Sequence, residues 1–263
     1  MQFCSLASGS NGNCYYIRCG RTGVLVDIGI TTKRVEMALR EIGVDPAGIR
    51  AVLITHEHSD HVQGVGVWAR RYRIPILASE RTLQTLVSMS STGAIPPELL
   101  YPVQAGRRYY AEDLTIEPFA AFHDAADPLG FSLTDGEKRI TIMTDTGMVS
   151  EDMIRLLKTS DLAVLESNYD VRMLMTGPYP PQLKKRIHSN VGHLSNLDCG
   201  QILKSILQIN PDLIVYLGHL SQENNTPELA YNTVRSIIAE AIPPESVDLR
   251  LTHRGARTEI VTL

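Results

Sequence analysis

Three histidines and two carboxylates fall within six consecutive residues, His56–His61, with the sequence HEHSDH. The motif directly follows residues 51–54, an apolar run typical of a buried β-strand. Neutral imidazoles and ionised carboxylates are good ligands of divalent metals, and a bound metal would relieve their crowding. A strand end that turns into a helix can point His56 and His58 one way and Asp60 and His61 another. The motif therefore predicts a metal centre in which one turn serves two ions.

The motif alone cannot complete two metal sites, so further ligands are expected at later strand ends. His123 follows the apolar run 119–122. Asp145 follows the strand-like residues 140–144, and His219 follows 213–218. Each of these residues taken singly is more often an ordinary loop residue. Because all three are metal-ligand types placed after β-type runs, we predict that they join the motif as ligands.

The composition indicates a globular chain with a substantial core. Of its 263 residues, 43% are hydrophobic and 21% are charged, proportions that exclude intrinsic disorder. The length permits one large domain or two small ones. The net charge of -4 excludes a strongly basic nucleic-acid binder, although a local basic groove remains compatible with it.

Targeting signals and cysteine usage indicate the compartment. No apolar run approaches the ~20 residues that a membrane-spanning helix needs. The first residues lack the basic start and apolar core of a signal peptide. The four cysteines form no C-x-x-C pair and are too few for a disulfide scaffold. We therefore predict a cytoplasmic protein with reduced thiols and no membrane partner.

The periodicity of apolar residues predicts alternating strands and helices in both halves of the chain. This pattern favours two mixed sheets covered by helices over one doubly wound parallel sheet. Asp135-Gly136 indicates a hairpin turn, and the proline-rich segment 171–193 is predicted to be an irregular loop. Strands are predicted near 2–7, 14–18, 23–27, 51–54, 75–78, 113–122, 130–134, 138–143, 161–165, 212–217, 247–252 and 257–262. Helices are predicted near 32–43, 61–72, 80–88, 150–158, 198–208 and 227–240.

With its motif and later ligands, the sequence resembles the metallo-β-lactamase-fold hydrolases over essentially its whole length. Asp27 matches an early aspartate of that family. The resemblance implies an α/β (α+β) fold, a four-layer αββα sandwich, formed by a single hydrolase domain over residues 1–263. The closer similarity is to the YycJ/WalJ-like bacterial branch. It rests on residues 8–13, His123-Asp124-Ala125 with Pro128, residues 192–196, and residues 218–221 with Asn224-Asn225.

The resemblance also implies a ligand set for two divalent ions. One metal would bind His56, His58 and His123. The other would bind Asp60, His61 and His219, and Asp145 would bridge the two ions. Zinc is favoured, although ligation by histidine and aspartate also suits manganese and iron.

His193 is the predicted catalytic residue that does not bind metal. Phosphodiesterase branches of the family carry such a histidine upstream of the last ligand, where it can protonate a leaving oxygen. A structural or surface histidine is the alternative. Asp60 is placed with His193 among the predicted catalytic residues, and no role is assigned to His188.

Substrate contacts are predicted in three loops. Ser10 and Asn13 lie in a Gly-Ser-Asn loop that could hold phosphate, or could form only a tight turn beside the metals. Ser195 and Asn196 follow His193 closely. Lys185 lies in the basic run 184–186, which could line a groove for nucleic-acid phosphates or could be an ordinary solvated surface.

The leading functional prediction is a two-metal hydrolase that cleaves phosphodiester bonds, with an exonuclease-like action on nucleic acid. The family resemblance supplies the nucleic-acid substrate and favours DNA. The first alternative is a phosphodiesterase acting on a small or cyclic-nucleotide-type ester. The second is a non-catalytic binding or regulatory module, and the complete ligand set argues against it. Asp145 stands where the commonest true β-lactamases carry cysteine, and the sequence leaves the oligomeric state open.

Overall fold

The computed structural model describes residues 1–263, with the side chain of Pro244 excepted. The strands are β1 (Gln2–Ala7), β2 (Cys14–Cys19), β3 (Thr22–Val26), β4 (Ile49–Leu53), β5 (Ile76–Ala78), β6 (Leu100–Pro102), β7 (Tyr109–Ala111), β8 (Leu114–Ala120), β9 (Leu129–Thr134), β10 (Arg139–Met143), β11 (Leu162–Glu166), β12 (Ile214–Gly218), β13 (Leu249–Leu251) and β14 (Val261–Thr262). The α-helices are α1 (Thr32–Glu41), α2 (Ser59–Val62), α3 (Val65–Tyr72), α4 (Glu80–Ser88), α5 (Glu151–Lys158), α6 (Val171–Thr176), α7 (Pro181–Ile187), α8 (Asn196–Leu207) and α9 (Pro227–Ile238).

The strands form two seven-stranded sheets, and the chain divides into two compact units. The first unit comprises Met1–Ala120, Ala125–Lys138 and His253–Leu263. The second unit comprises Ala121–Asp124 and Arg139–Thr252.

A mixed sheet forms the centre of the first unit, in the order β14-β1-β2-β3-β4-β5-β6. Strands β1, β2 and β3 pair antiparallel, whereas β3 to β6 pair parallel. All five residues of β3 are buried, as expected for a strand covered on both faces. Because Val26 pairs with Leu53, the parallel strands β3 and β4 end side by side and release residues 27 and 54–61 at one edge.

The same unit contains the antiparallel strands β7, β8 and β9. Helix α1 packs against β1 and α3. Thr31 caps the start of α1 by accepting a hydrogen bond from the Arg34 N–H, and Val35 and Leu39 form the buried face of the helix.

The second unit is organised by four parallel strands in the order β10-β11-β12-β13. Their register aligns Met143 with Leu165 and Leu165 with Leu217. The carboxyl ends of β10, β11 and β12 therefore meet at one edge, where loops usually carry functional groups. Helices α8 and α9 pack against each other, and α9 also contacts β13.

The structure confirms most of the predicted elements. The two mixed sheets with flanking helices are present, helix α4 has the predicted bounds, and the turn at Asp135-Gly136 is present. The short strands β6 and β7 were not predicted. Among the described residues, no helix is long and apolar enough to cross a membrane. All four cysteines are buried free thiols.

Two local predictions were wrong. The helix predicted over residues 61–72 is two helices, α2 and α3, because the Gly64 N–H bonds to the Ile28 carbonyl and draws the chain towards β3. The segment 171–193 is not an irregular loop but contains α6 and α7. Asp170 caps α6, and Pro181 occupies the first turn of α7, where a proline needs no hydrogen-bond partner. The prolines separate these helices and do not prevent them.

Candidate functional site

The motif after β4 forms a compact histidine cluster in the first unit. The ring centroid of His56 lies 4.6 Å from that of His58 and 4.1 Å from that of His61. His61 Nε2 is 3.4 Å from Asp60 Oδ2. His56 and His61 are buried, so this corner excludes most solvent from two of its three imidazoles. The structure thus brings together the four motif residues that were predicted to bind metal.

Asp27 organises this cluster from the end of β3. Its carboxylate accepts hydrogen bonds from the Thr55 N–H at 2.8 Å and the Thr55 hydroxyl at 2.9 Å. It also lies 2.7 Å from His61 Nδ1. Complete burial raises the pKa of Asp27, and the contacts with His61 and Thr55 oppose that rise. A carboxylate bonded to one nitrogen of an imidazole orients the ring and leaves the other nitrogen to coordinate a metal.

Asn13 supports the same cluster from inside the protein. It is fully buried, and its amide oxygen accepts the Gly9 N–H at 3.0 Å. Its amide nitrogen donates to the carbonyls of Gly9 and Asp60 and lies 3.0 Å from His61 Nε2. The placement favours a supporting role over the predicted direct contact with substrate. Ser10, by contrast, is exposed.

Close backbone contact fixes the position of Asp60. The Asn13 N–H donates to the Asp60 carbonyl at 2.8 Å, and the Gly29 N–H donates to the Asn13 carbonyl at 2.7 Å. A Cβ atom on Gly29 would lie 1.6 Å from the Asp60 carbonyl oxygen. Only glycine permits so close an approach, so Gly29 allows the HEHSDH motif, residues 56–61, to pack directly on the chain that follows β3.

A second cluster lies at the parallel strand ends of the second unit. Asp145 follows β10, Glu166 ends β11, and His219 follows β12. Asp145, Glu166, His193 and His219 each offer one ligand-type atom, and these atoms lie within 4.8 Å of one another. The strand register explains why Asp145, Glu166 and His219 converge, whereas His193 comes from the segment between α7 and α8.

Asp145 is in close contact with two predicted metal ligands. Its Oδ2 lies 2.7 Å from His219 Nδ1, and its Oδ1 lies 3.7 Å from His123 Nε2. His123 Nδ1 lies 3.0 Å from the Gly192 carbonyl oxygen. Burial lowers the pKa of His123, which favours the neutral imidazole that binds metals.

Two predicted metal ligands, Asp145 and His219, and the family-matching Asp27 have strained backbones. Asp27, Asp145 and His219 have φ values of 60°, 55° and 53°, in the left-handed region that non-glycine residues rarely adopt. They are three of the five non-glycine residues with positive φ in the described structure. Such residues cost about 1–3 kcal/mol each and concentrate at functional sites. The strain therefore marks these strand ends independently of their side-chain chemistry.

Glu166 is a site residue that the sequence analysis missed. It is fully buried, and its Oε1 lies 2.7 Å from His193 Nδ1. Its Oε2 accepts the Thr146 N–H at 3.0 Å. The one available signal was a charged residue at the end of the buried strand β11. His193 itself is partly exposed, with 19% of its side-chain surface accessible.

The predicted contacts Ser195 and Asn196 are buried at the start of α8. Ser195 caps this helix by accepting the Asp198 N–H, and its hydroxyl donates to Asp198 Oδ2 at 2.6 Å. Asn196 and Asn225 pair through their amides, and Asn196 also accepts the Ser167 hydroxyl at 2.7 Å. These bonds favour a structural role over the predicted contact with substrate.

The three basic side chains of residues 184–186 on α7 differ in their surroundings: two bond to neighbouring groups and one is noted for its exposure. Lys184 donates to the Met175 carbonyl, and Arg186 forms an ion pair with Asp124. Lys185 is exposed. His188, to which no role was assigned, lies just beyond α7 with its Nδ1 2.7 Å from the Tyr169 hydroxyl.

Each cluster borders a cavity in its own unit. A cavity of about 270 Å³, the polar cleft, touches Asp60 and is lined by Ser10, Asn11, Ser59, Gln63 and Ser91, with Gly29 and Val62. A cavity of about 500 Å³, the His193 pocket, opens beside His193. Both volumes are close to or within the range of small-molecule sites, about 300–1,000 Å³.

Known proteins resemble this chain in sequence and in fold. The chain is 38% identical to the exodeoxyribonuclease WalJ of Streptococcus pneumoniae over 94% of this chain and 91% of that protein. It is 35% identical to the exodeoxyribonuclease YycJ of Bacillus anthracis over 91% of this chain and 90% of that protein. The metallo-beta-lactamase fold protein YhfI from Bacillus subtilis has a TM-score of 0.70 at 16% identity and covers 98% of this chain and 100% of its own, which shows the fold alone.

The family assignment follows from the extent of these matches. Residues 22–219 match the family described as the Beta-lactamase superfamily domain, and this range contains all seven predicted metal ligands. The sequence relatives cover nearly the full length of this chain and of their own. The chain therefore belongs to the β-lactamase superfamily, in the YycJ/WalJ branch of the metallo-β-lactamase-fold proteins.

Proposed function

We propose that this protein is a metal-dependent hydrolase that cleaves phosphodiester bonds from an end of a DNA strand. The observation that carries the proposal is the pair of histidine–carboxylate clusters, one at each set of parallel strand ends. Full-length similarity to two proteins named exodeoxyribonucleases supplies the substrate class. The superfamily match spans residues of both units, and we propose that residues 1–263 act as one hydrolase domain.

We propose that the two clusters supply the ligands of two divalent metal ions. The donor chemistry fits, because imidazole nitrogens and carboxylate oxygens gather in groups whose members are mostly buried. Bound metals of this kind polarise a phosphoryl oxygen and lower the pKa of a coordinated water. Zinc suits the histidine-rich set best, and manganese and iron also suit it. The proposed ligands are His56, His58 and His123 for one ion, Asp60, His61 and His219 for the other, and Asp145 between them.

His193 is the proposed proton donor, and Glu166 is the residue proposed to position it. Glu166 holds His193 Nδ1, so Nε2 is the nitrogen that remains for the substrate. The buried carboxylate also favours the protonated imidazole that a general acid needs. In this proposal, His193 Nε2 donates its proton to the oxygen that leaves as the phosphodiester bond breaks.

The polar cleft is the proposed contact for the sugar-phosphate chain. Its hydroxyl and amide groups can bond to phosphate and sugar oxygens without reading the base. Asp60 links this cleft to the proposed metal ligands. Lys185, exposed on α7, is proposed to attract the phosphates of the strand by charge alone.

Hydrolysis of end-labelled oligonucleotides tests the proposal. We expect metal-loaded protein to shorten a DNA strand from one end, with two divalent ions per chain by metal analysis. The Asp145→Ala variant is the negative control for contaminating nuclease. Hydrolysis of bis-p-nitrophenyl phosphate without cleavage of DNA or RNA would identify a small-molecule phosphodiesterase. Inactivity on every substrate by metal-loaded protein would identify a binding module.

The cytoplasmic location stays a prediction that rests on cysteine usage. The four thiols are buried, and burial is the largest cause of the raised pKa of each one. Such thiols are unreactive because the thiolate is disfavoured.

A further inference from the structure

The His193 pocket has a character different from that of the polar cleft. Its walls include the apolar side chains of Met148, Val149, Ile154 and Ile202. These side chains come from the segment leading into α5, from α5 itself and from α8. His193 lines the same pocket, so its interior is continuous with the imidazole proposed to donate a proton.

Polar groups occur at defined places around these apolar walls. Asn190 and Gln201 contribute amide groups, and Asp198 contributes a carboxylate. His188 lines the pocket while the Tyr169 hydroxyl contacts its Nδ1. Burial and the neighbouring charges of Asp198 and Glu166 raise the pKa of Tyr169, so its hydroxyl stays protonated and able to hold the His188 ring.

Close backbone packing builds the pocket from two separate segments. Gly147, which follows Asp145 by two residues, lies against the backbone of Ser189 and Asn190. A Cβ atom on Gly147 would be 2.3 Å from the Ser189 carbonyl oxygen. The turn that carries His188 closes when the His193 N–H donates to the Ile187 carbonyl at 3.0 Å. The pocket and the position of His193 are therefore set by the same turn.

We propose that the His193 pocket binds the nucleobase of the nucleotide at the bond to be cleaved. The inference rests on the proposed function and extends it to the part of the nucleotide that does not react. Apolar walls suit the faces of a base, and amide and carboxylate groups suit the donors and acceptors on its edges. The volume of about 500 Å³ accommodates a single base with its sugar.

The charge of the pocket argues against a phosphate in this position. Away from the proposed proton donor His193, the described residues that line it include neither lysine nor arginine, and Asp198 would repel an anion. A neutral, flat group with polar edges fits the lining better. Because the polar groups include both donors and acceptors, the pocket suits any of the four bases and adds affinity without strict sequence preference.

A substrate that lacks one base tests the inference directly. Two labelled DNA strands would differ only in the nucleotide at the cleaved end, which carries either thymine or an abasic tetrahydrofuran residue. The wild type is expected to cleave the abasic end with kcat/KM lower by about tenfold, the size of one base-stacking contact. Both strand ends are tested separately, since either end is a candidate for cleavage.

A variant that fills the pocket completes the test. Gln201→Trp places a large ring in the cavity from the exposed side of α8, whereas Gln208→Trp places the same ring beyond the end of that helix and outside the pocket. We expect Gln201→Trp to lose the roughly tenfold preference of the wild type for the thymine end, so that it cleaves the thymine and abasic ends at similar rates. Gln208→Trp should resemble the wild type on both strands. Unchanged metal content and melting temperature would show that both variants are folded.

The outcomes separate the pocket from the proposed function. If an active wild type cleaved the thymine end and the abasic end equally fast, the base-binding pocket would be overturned and the exonuclease left intact. An equal loss of cleavage rate on the thymine and abasic ends in Gln201→Trp would also overturn it. The ring would then disturb the reaction and not base binding. If the metal-loaded wild type cleaved no DNA, the proposed function itself would be wrong.

Discussion

His193 Nδ1 and Glu166 Oε1 lie 2.7 Å apart, although 26 residues separate them in the chain. Glu166 is fixed by two backbone N–H groups, from Thr146 and Leu194, so the carboxylate is a rigid partner for the ring. This contact defines which nitrogen of His193 is available to a substrate and supports its assignment as a proton donor.

Replacement of His193 should slow the reaction without removing metal. We expect His193→Ala to lower kcat on DNA on the order of 10²–10⁴-fold, as loss of a general acid typically does. The loss should be much smaller on bis-p-nitrophenyl phosphate, whose leaving group needs no proton. Loss of metal from the variant would instead make His193 a ligand. An equal loss on both substrates would indicate phosphate binding.

Glu166 should act through His193 as a positioning residue. Glu166→Gln keeps a hydrogen-bond acceptor but removes the charge that favours protonated His193, so we expect kcat on DNA to fall about 10–100-fold. Adding Glu166→Gln to His193→Ala should lower kcat on DNA little further, since Glu166 acts only through the proton of His193. The matched control is Glu117→Gln, a carboxylate on β8 paired with Arg108. Independent, multiplicative losses in the double variant would contradict the pairing.

Asp145 should matter more to metal binding than His219 does. As the proposed bridge, Asp145 is shared by both ions, whereas His219 serves one. Asp145→Ala should lose metal and activity together, and His219→Ala should retain about one ion per chain by metal analysis. Near-normal turnover by folded Asp145→Ala would refute the assignment.

Gly29 should tolerate no side chain. Gly29→Ala would place Cβ 1.6 Å from the Asp60 carbonyl oxygen, so the HEHSDH motif must move. We expect the free energy of unfolding to fall by about 3 kcal/mol or more, with weaker metal binding. Gly48→Ala is the control, because a Cβ there meets no atom within 4 Å. Equal unfolding midpoints for the two variants in denaturant would show that the loop adjusts without cost.

Glu36 on α1 should contribute stability that depends on pH. Burial alone would raise its pKa, but the Tyr72 and Arg71 side chains bond to it and hold the pKa below its ordinary value. A carboxyl with a lower pKa in the folded state stabilises the protein above the unfolded-state pKa, and this stability is lost as the pH falls through the folded-state value. Glu36→Gln should therefore cost about 1 kcal/mol at neutral pH.

The same variant offers an internal control. The difference in free energy of unfolding between wild type and Glu36→Gln should vanish once the pH lies well below the lowered pKa of Glu36 in the folded protein. Denaturant titrations at neutral and acidic pH measure this difference. A difference that stays constant between the two conditions would show that the charge of Glu36 contributes nothing.

Local sequence determined much of the fold and the chemistry of the HEHSDH motif. Continuous apolar runs predicted β3 and β4, because strands covered on both faces need such runs. The spacing within residues 56–61 determined that several imidazoles and a carboxylate would lie in one turn, since a tight turn holds near neighbours together whatever surrounds it. These features depend on residues only a few positions apart.

Tertiary structure alone decided the remaining features. The register of parallel strands brings Asp145, Glu166 and His219 to one sheet edge, and the segment between α7 and α8 packs there, so that His193 meets Glu166 and Ser189 meets Gly147. Asn13 faces inward for a similar reason, since its partners Asp60 and His61 lie in α2, after β4, far from Asn13 in sequence. Hydrogen-bond partners and cavities depend on the packing of segments far apart in sequence, and local patterns carry no record of that packing.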